Sequence, residues 1–135
     1  MKICIIGTGY IGLTEGLCFA SLGHDVACYD IIEEKINQLK NGIPTLYEDG
    51  LEEMLKKNLQ SGKIIFTTNI KEALNKAEVV FICVNTPENP KDGSADLTAI
   101  MKSTESVAKN MDVNNKFVLV VRSTVPVGTN KLVKD

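Results

Sequence analysis

The stretch KICIIGTGYIG, residues 2–12, decides the fold of this chain. Its first five residues form an apolar run that predicts a fully buried parallel strand. Residues 13–22 predict a helix with one apolar face. Gly7, Gly9 and Gly12 therefore stand at the first, third and sixth positions of a strand-to-helix turn.

Each glycine of this turn has its own physical reason. Gly7 permits the tight bend, Gly9 lets the backbone approach a pyrophosphate, and Gly12 lets helix and strand pack closely. Unpaired N–H groups and the helix dipole favour phosphate at the helix start. A second strand, residues 26–29, ends at Asp30, 23 residues beyond Gly7 and close to the offset of about 20 for a carboxylate that binds ribose hydroxyls. The pattern predicts dinucleotide binding; a glycine-rich turn in another α/β domain is the alternative, against which the acid counts.

The rest of the chain continues the alternation of strand and helix. Strands are predicted at residues 63–67, 79–84 and 117–121, and helices at 33–40, from 48 or 49 to about 60, from an N-cap at Asn69 to 77, and at 97–110. Uniformly apolar strands predict a parallel sheet covered on both faces. Right-handed crossovers give the strand order 3-2-1-4-5. We predict one Rossmann-like, doubly wound α/β domain over residues 1–135.

Ligands of such a sheet bind beyond the carboxyl ends of strands one and four, where the chain reverses its direction of travel across the sheet. Three segments follow strand ends there: the Gly7 turn, NTP at residues 85–87 and RST at residues 122–124. We expect them to surround a single cleft. Residues 88–96 are rich in turn-forming residues and predict a loop.

Composition narrows the classes of partner. The chain has 135 residues and a net charge of −2, with acidic and basic residues interspersed. We therefore expect no nucleic-acid partner, and the short apolar runs predict no membrane span. The sequence enters its first strand at once, which leaves no room for a signal peptide, so a cytoplasmic location is expected.

The four cysteines follow no metal-ligand spacing. Cys4, Cys28 and Cys83 lie in apolar strands and Cys18 in the first helix. We expect all four to be buried, reduced core residues. His24 lies in a predicted turn and is assigned no chemistry.

Seven motifs in order along the whole chain resemble one known family. They are IGTGYIGL (6–13), YD (29–30), PTLYEDGLE (44–52), FTT (66–68), VNTP (84–87), DGSADL (92–97) and STVPVGT (123–129). Together they are similar to the UDP-glucose/GDP-mannose dehydrogenases. The last motif and the Tyr-Glu-x-Gly-Leu segment are more specific than the glycine fingerprint, and residues 44–51 look most like the UDP-glucose branch.

The resemblance implies a reaction and a set of contacts. Enzymes of this family oxidise the C6 hydroxyl of a nucleotide sugar to a carboxylate with two NAD in succession. Together with the glycine turn, it gives these predicted cofactor-binding residues: Gly7, Gly9, Tyr10, Ile11, Gly12, Asp30, Lys35, Thr86, Pro87 and Thr124. Thr124 is also implied to place the reacting water or hydroxyl, as a catalytic residue. The alternatives are a turn-forming hydroxyl for Thr124, a rigid strand-ending turn for Thr86-Pro87 and a solvated helix position for Lys35.

Charge at the end of the second strand favours NAD over NADP. Asp30 can bond a ribose 2′-hydroxyl but repels a 2′-phosphate. Ile31 and Ile32 offer no cationic partner, and Lys35 is the one residue that complicates the argument. We expect NAD to bind at least about tenfold tighter. An FAD or methyl-donor site is a third interpretation, which the threonine motifs disfavour.

The sequence departs from the family pattern at three positions. Arg122 stands where lysine is usual, Asp49 where proline is frequent, and Glu15 where a small or apolar residue is common. We expect Arg122 and Asp49 to be tolerated. Glu15 is expected either to alter the cofactor-facing side of the helix or to be solvated.

The family's remaining machinery lies downstream of the threonine motif. This comprises the nucleophilic cysteine, the catalytic lysine and asparagine, the assisting acids and the sugar-nucleotide site. None of the four cysteines here is expected to be the nucleophile, because each lies in a predicted buried element. We expect a fragment that binds NAD without turnover, from a homodimeric enzyme that takes a UDP-sugar. The alternative is a stand-alone NAD-sensing or regulatory module, against which the end of the sequence inside a predicted helix counts.

Overall fold

The computed structural model describes residues 1–135 and contains five strands and six helices. The strands are β1 (Lys2–Ile6), β2 (Asp25–Tyr29), β3 (Ile64–Thr67), β4 (Val79–Ile82) and β5 (Val118–Val121). The helices are α1 (Tyr10–Ser21), α2 (Glu33–Lys40), α3 (Leu51–Gln60), α4 (Ile70–Leu74), α5 (Thr98–Asn110) and α6 (Thr129–Lys134).

The five strands form one parallel sheet in the order β3-β2-β1-β4-β5. β1 lies at its centre, and Ile5 stands opposite Cys28 of β2 and Phe81 of β4. The predicted fold class and strand order are confirmed. The reversal between β1 and β4 places the cleft at the carboxyl ends of those strands.

Side chains of β1 alternate between two apolar layers because successive residues of a strand point to opposite faces. Ile3 and Ile5 join the larger core cluster with residues of α1, α2 and α3. Cys4 and Ile6 join the smaller cluster with residues of α4, β4 and α5. Both faces of the central strand are therefore covered, which fixes the position of the turn that follows Ile6.

Helix α1 begins three residues earlier than predicted, at Tyr10 instead of Leu13. Gly9 is its N-cap, and Gly12 lies inside the first turn. A Cβ on Gly12 would stand 1.9 Å from the carbonyl oxygen of Gly7, so the helix can start here only because this position has no side chain.

Two other elements, β4 and α4, end earlier than predicted because of their local surroundings. β4 ends at Ile82 instead of residue 84, since β1 ends at Ile6 and offers no further neighbour. α4 ends at Leu74 instead of residue 77, and Lys76 beyond it has a φ of 57° that a helix does not accept. Asn69 is its N-cap as predicted and accepts hydrogen bonds from two backbone N–H groups.

Helix α3 was predicted to begin at Glu48 or Asp49, which was wrong. It begins at Leu51, because Gly50 before it has a left-handed φ of 79°. Glu48 and Asp49 therefore belong to the loop 43–50, which makes up most of the connection between α2 and α3.

The prediction that all four cysteines are buried fails for Cys18, which is exposed on the outer face of α1. Its neighbour Leu17 is fully buried, and one helical step turns the next side chain to solvent. Cys4, Cys28 and Cys83 are buried as predicted. None of the helices combines the length and apolar character that crossing a membrane requires.

Candidate functional site

The glycine turn lies at the carboxyl end of β1, against the chain that continues β4. Gly7 has a φ of 97°, and a Cβ there would lie 2.9 Å from the carbonyl oxygen of Cys83. Its N–H donates to the carbonyl of Tyr29, which ties the turn to the end of β2. Only glycine satisfies both the backbone angle and this contact.

The first turn of α1 presents free backbone donors to the cleft. The first N–H groups of a helix lack intrahelical partners, and Gly9 supplies no side chain to cap those of Tyr10, Ile11 and Gly12. No acidic residue stands in this turn. The nearest group to a Cβ built on Gly9 is the Asn85 side chain at 3.7 Å. The structure thus leaves an open approach for an anion.

Asp30 is fixed beside the glycine turn directly after β2, with only 8% of its surface exposed. Its Oδ2 accepts hydrogen bonds from the N–H of Thr8 (2.9 Å) and from the Thr8 hydroxyl (2.7 Å). Its Oδ1 accepts one from the N–H of Ile32. Burial opposes ionisation, but these hydrogen bonds and the nearby Lys35 ammonium outweigh it and lower the pKa of Asp30.

Thr8 was not identified as a candidate site residue from the sequence. It is completely buried and holds Asp30 through both its backbone and its hydroxyl. The sequence does contain a signal for this role. Thr8 stands between Gly7 and Gly9 and has the only polar side chain in the turn before Tyr10.

Lys35 reaches Asp30 from the first turn of α2. Its Nζ lies 3.2 Å from Asp30 Oδ2, and 28% of the Lys35 side chain is exposed. The structure therefore brings the two predicted residues together as an ion pair.

A second part of the cleft lies between the start of α1 and the ends of β4 and β5. It is a cavity of about 320 Å³. Its walls come from Tyr10 and Ile11 of α1, from residues 83–86 after β4, and from Ser123 and Thr124 after β5. The structure thus brings the predicted residues Tyr10, Ile11, Thr86 and Thr124 to one cavity.

Two hydroxyl groups join the segments that form this cavity. The Thr86 hydroxyl donates to the carbonyl of Thr124 (2.8 Å), and the Ser123 hydroxyl donates to the carbonyl of Val84 (2.6 Å). The Thr124 hydroxyl makes no hydrogen bond within the protein, whereas Pro87 is exposed and lies outside the cavity walls. Thr124 is therefore the hydroxyl left available at the mouth of the cavity.

Tyr10 also connects the glycine turn to the loop 43–50. Its hydroxyl donates to Glu48 Oε2 at 2.5 Å. This hydrogen bond to a carboxylate, together with the charge of Glu48, raises the pKa of Tyr10. Glu48 was not identified as a site residue from sequence, although it lies in the PTLYEDGLE motif.

The unusual residues Glu15 and Arg122 contact each other. Arg122 Nε lies 2.5 Å from Glu15 Oε1, which joins the second turn of α1 to the residue after β5. Glu15 is partly buried, so the alternative of a solvated residue does not hold. No group of three or more His, Cys, Asp or Glu side chains is placed to hold a metal ion.

Comparison with known proteins agrees with this architecture along the whole chain. The sequence model described as "UDP-glucose/GDP-mannose dehydrogenase family, NAD binding domain" matches residues 1–135. The UDP-glucose 6-dehydrogenase TuaD of Bacillus subtilis is 44% identical over 134 residues, 99% of this chain and 28% of that protein. The UDP-glucose 6-dehydrogenase of Rhizobium meliloti is 45% identical over 129 residues, 96% of this chain and 29% of that protein.

Solved structures give the same result. A GDP-mannose dehydrogenase from Pseudomonas aeruginosa superposes with a TM-score of 0.93 at 35% identity, over 98% of this chain and 30% of that one. A UDP-glucose dehydrogenase from Pyrobaculum islandicum gives a TM-score of 0.89 at 36% identity, over 98% of this chain and 32% of that one. The chain spans less than a third of the length of these relatives. It belongs to the UDP-glucose/GDP-mannose dehydrogenase family and is an NAD-binding domain of that family.

Proposed function

We propose that NAD lies across the carboxyl ends of β1 and β4, with its diphosphate on the first turn of α1 and its adenosine ribose on Asp30. The main support for this proposal is the buried contact between Thr8 and Asp30. It fixes a carboxylate at the side of a turn whose glycines leave the backbone donors accessible. A diphosphate and a ribose on one ligand match that pair of features.

The residues present fit the cofactor at the diphosphate end. Gly9 leaves open space where any larger residue would project, and the first turn of α1 carries no competing carboxylate. The helix dipole adds a favourable potential for negative charge at the same place. Tyr10 and Ile11 would donate through their backbone N–H groups.

The two carboxylate oxygens of Asp30 differ in how many further hydrogen bonds they can accept. Oδ2 already accepts from Thr8 and Lys35, whereas Oδ1 accepts only from Ile32. A carboxylate oxygen has two lone pairs, so Oδ1 can take a ribose hydroxyl without displacing any protein donor. A 2′-phosphate would place negative charge against the carboxylate, which Lys35 offsets only in part. The preference for NAD over NADP belongs to this proposal.

The nicotinamide half would occupy the cavity between α1 and the ends of β4 and β5. When bound, NAD supplies the acceptor for a hydride from the substrate carbon. Ile11 would provide an apolar wall, and Thr86 would hold the Thr124 backbone in place. The unengaged Thr124 hydroxyl would bond the cofactor and orient the reacting hydroxyl or water.

For the whole protein we propose oxidation of the C6 hydroxyl of UDP-glucose, or of a related UDP- or GDP-sugar, to the uronate with two NAD. The names of its relatives, UDP-glucose 6-dehydrogenase and GDP-mannose 6-dehydrogenase, support this reaction class. Residues 1–135 would be the cofactor domain of a homodimer whose sugar-nucleotide site lies outside this chain. A cytoplasmic location accompanies the proposal, since all four thiols are free.

The cysteines described here do not fit the nucleophile of that reaction. Cys83 lines the cavity, but burial raises its pKa to about 12 and keeps it a thiol. Cys18 is exposed but lies eight residues along α1 from Tyr10, about 12 Å at the helical rise. The chain alone is therefore expected to bind NAD without turning over a UDP-sugar.

Calorimetric titration of NAD into the wild-type chain and Asp30→Ala tests the proposal. We expect Asp30→Ala to weaken binding about tenfold or more, because a hydrogen bond to a charged group is lost. Asp25→Asn is the control, as Asp25 lies at the opposite end of β2. Failure of the wild type to bind NAD, or equal affinities for wild type and Asp30→Ala, would contradict the proposed site. Steady NADH formation with UDP-glucose would contradict the assignment of catalysis to residues outside the chain.

A further inference from the structure

The Glu15–Arg122 ion pair connects two elements that the sheet does not place side by side. Glu15 lies on α1, which packs beside β1, whereas β5 is two strands away from β1. The bond between Arg122 Nε and Glu15 Oε1 measures 2.5 Å and spans 107 residues of sequence. Glu15 exposes 23% of its side chain and Arg122 exposes 50%.

Both residues stand next to the cavity proposed for the nicotinamide. Glu15 follows the cavity-lining residue Ile11 by one helical turn, and Arg122 directly precedes Ser123 and Thr124. Burial is the main cause of the raised pKa of Cys83 in the cavity wall, and the charges of Glu15, which raises the pKa, and of Arg122, which lowers it, add smaller effects. The ion pair therefore lies behind the cavity walls, one helical turn from Ile11 on α1 and next to Ser123 after β5, and is not itself part of the lining.

Stability alone does not account for a carboxylate at this position. Glu15 Oε2 is buried and has no hydrogen-bond partner. A partly buried carboxylate with one unsatisfied oxygen costs free energy that an apolar side chain would avoid. What the pair does provide is a directional bond between the helix that carries the diphosphate site and the segment that carries Thr124.

We propose that Glu15 and Arg122 are positioning residues for the nicotinamide half of the cofactor. Their ion pair holds the Ser123–Thr124 segment at a fixed distance from α1, so that the cavity keeps its width when the ring enters. The adenosine and diphosphate contacts do not depend on it, because Asp30 and the glycine turn are held by separate hydrogen bonds. This proposal rests on the NAD site proposed above.

The test compares NAD with ADP-ribose, which has the same adenosine, diphosphate and second ribose but lacks the nicotinamide. Glu15→Gln and Arg122→Gln are each expected to weaken NAD about fivefold, as befits loss of a partly buried ion pair, while the dissociation constant for ADP-ribose changes less than about twofold. The double variant should weaken NAD no more than either single variant, since both remove the same bond. Arg122→Lys, which keeps the charge, should restore part of the affinity.

Asp25→Asn is the matched control. Asp25 and Lys63 form another ion pair between separate elements, with 3.0 Å between Lys63 Nζ and Asp25 Oδ1, but at the amino ends of the strands. Breaking it should leave both dissociation constants unchanged. Circular dichroism at the titration temperature establishes that each variant is folded before its affinity is compared.

Equal weakening of NAD and ADP-ribose by Glu15→Gln would overturn the proposal, because the pair would then act on the fold of the domain as a whole. Unchanged affinity for NAD in both single variants would overturn it as well. If the wild-type chain binds neither NAD nor ADP-ribose, the result contradicts the proposed NAD site itself and is thereby distinguished from failure of the ion-pair proposal.

Discussion

The cleft has two sides that are built in different ways. We call Gly7–Gly12 with Asp30 the glycine side, and residues 85–86 with residues 123–124 the threonine side. On the glycine side the two hydrogen bonds between Thr8 and Asp30 are buried, with Thr8 fully covered and Asp30 nearly so. On the threonine side, Asn85 and Thr124 are exposed, and single hydroxyl groups make the connections.

The two sides differ because their hydrogen bonds join residues at different separations in the sequence. The bond between Thr8 and Asp30 spans 22 residues within one β1–α1–β2 unit. The bonds that shape the threonine side span 38 and 39 residues and join the ends of two strands. The diphosphate and ribose would therefore meet a preformed surface, whereas the nicotinamide end depends on contacts between separate segments.

Gly12→Ala should have the largest effect on the glycine side. The added Cβ would stand 1.9 Å from the Gly7 carbonyl oxygen and 3.1 Å from Cys83 Cβ, so either the turn or the helix must move. We expect a loss of about 3 kcal/mol or more in the free energy of unfolding, measured by urea denaturation.

Gly9→Ala is its control, because Gly9 has a φ of −71° and its nearest neighbour lies at 3.7 Å. The free energy of unfolding should change by about 1 kcal/mol or less, and the effect should fall on NAD affinity instead. Equal unfolding midpoints for Gly12→Ala and the wild type would show that the glycine side is not rigid.

Asp30→Asn should have the next largest effect, and one that depends on pH. The asparagine amide nitrogen cannot accept a hydrogen bond, so at least one donor loses its partner: the N–H of Ile32 if the nitrogen replaces Oδ1, or both donors of Thr8 and the Lys35 ammonium if it replaces Oδ2. We expect a loss of about 2 kcal/mol in the free energy of unfolding at pH 7. Because the pKa of Asp30 is lowered in the folded state, its contribution is complete above the ordinary value of 3.8 and is lost as pH falls through the folded-state pKa.

The measurement is the difference in unfolding free energy between wild type and Asp30→Asn from pH 7 down to pH 3. This difference should stay constant above about pH 5 and then shrink as the wild-type carboxyl takes up a proton. A difference that grows on acidification would mean that Asp30 is stabilised in its protonated form, contrary to the hydrogen bonds it accepts.

The same contrast explains what the sequence could predict. Strand order, the glycine turn and the placement of Asp30 follow from apolar runs and from spacing within one contiguous stretch. That residues 85–86 and 123–124 share a cavity follows from the topology of a parallel sheet, because both segments leave it at the same edge. These predictions were confirmed, whereas the starts of α1 and α3 and the end of β4 were misplaced, because local backbone angles and the ends of neighbouring strands determine them.

Side-chain partners across the fold could not be predicted in this way. Nothing in the pattern pairs Glu15 with Arg122, because their contact depends on how far α1 and the end of β5 lie apart in space. Cys18 was misplaced because its apolar character was weighed above its position in the helix. At about 100° per residue it lies on the side of α1 opposite Ala20, whereas Leu13, Leu17 and Ala20 form the buried face.

The smallest effect is expected where the loop 43–50 meets the glycine side. Glu48→Gln removes the charge that faces the Tyr10 hydroxyl, so the raised pKa of Tyr10 should fall toward its ordinary value of 10.0. Asp49→Asn is the matched control, since Asp49 is the adjacent carboxylate but accepts from Tyr47 instead. Ultraviolet pH titration of tyrosine ionisation, with Tyr10→Phe to assign the signal, measures the pKa of Tyr10 in both variants.

Should Asp49→Asn shift the Tyr10 signal as much as Glu48→Gln does, the loop would not be bound to the glycine side through Glu48. The glycine side would then end at the first turn of α1, and the loop 43–50 would not be part of it.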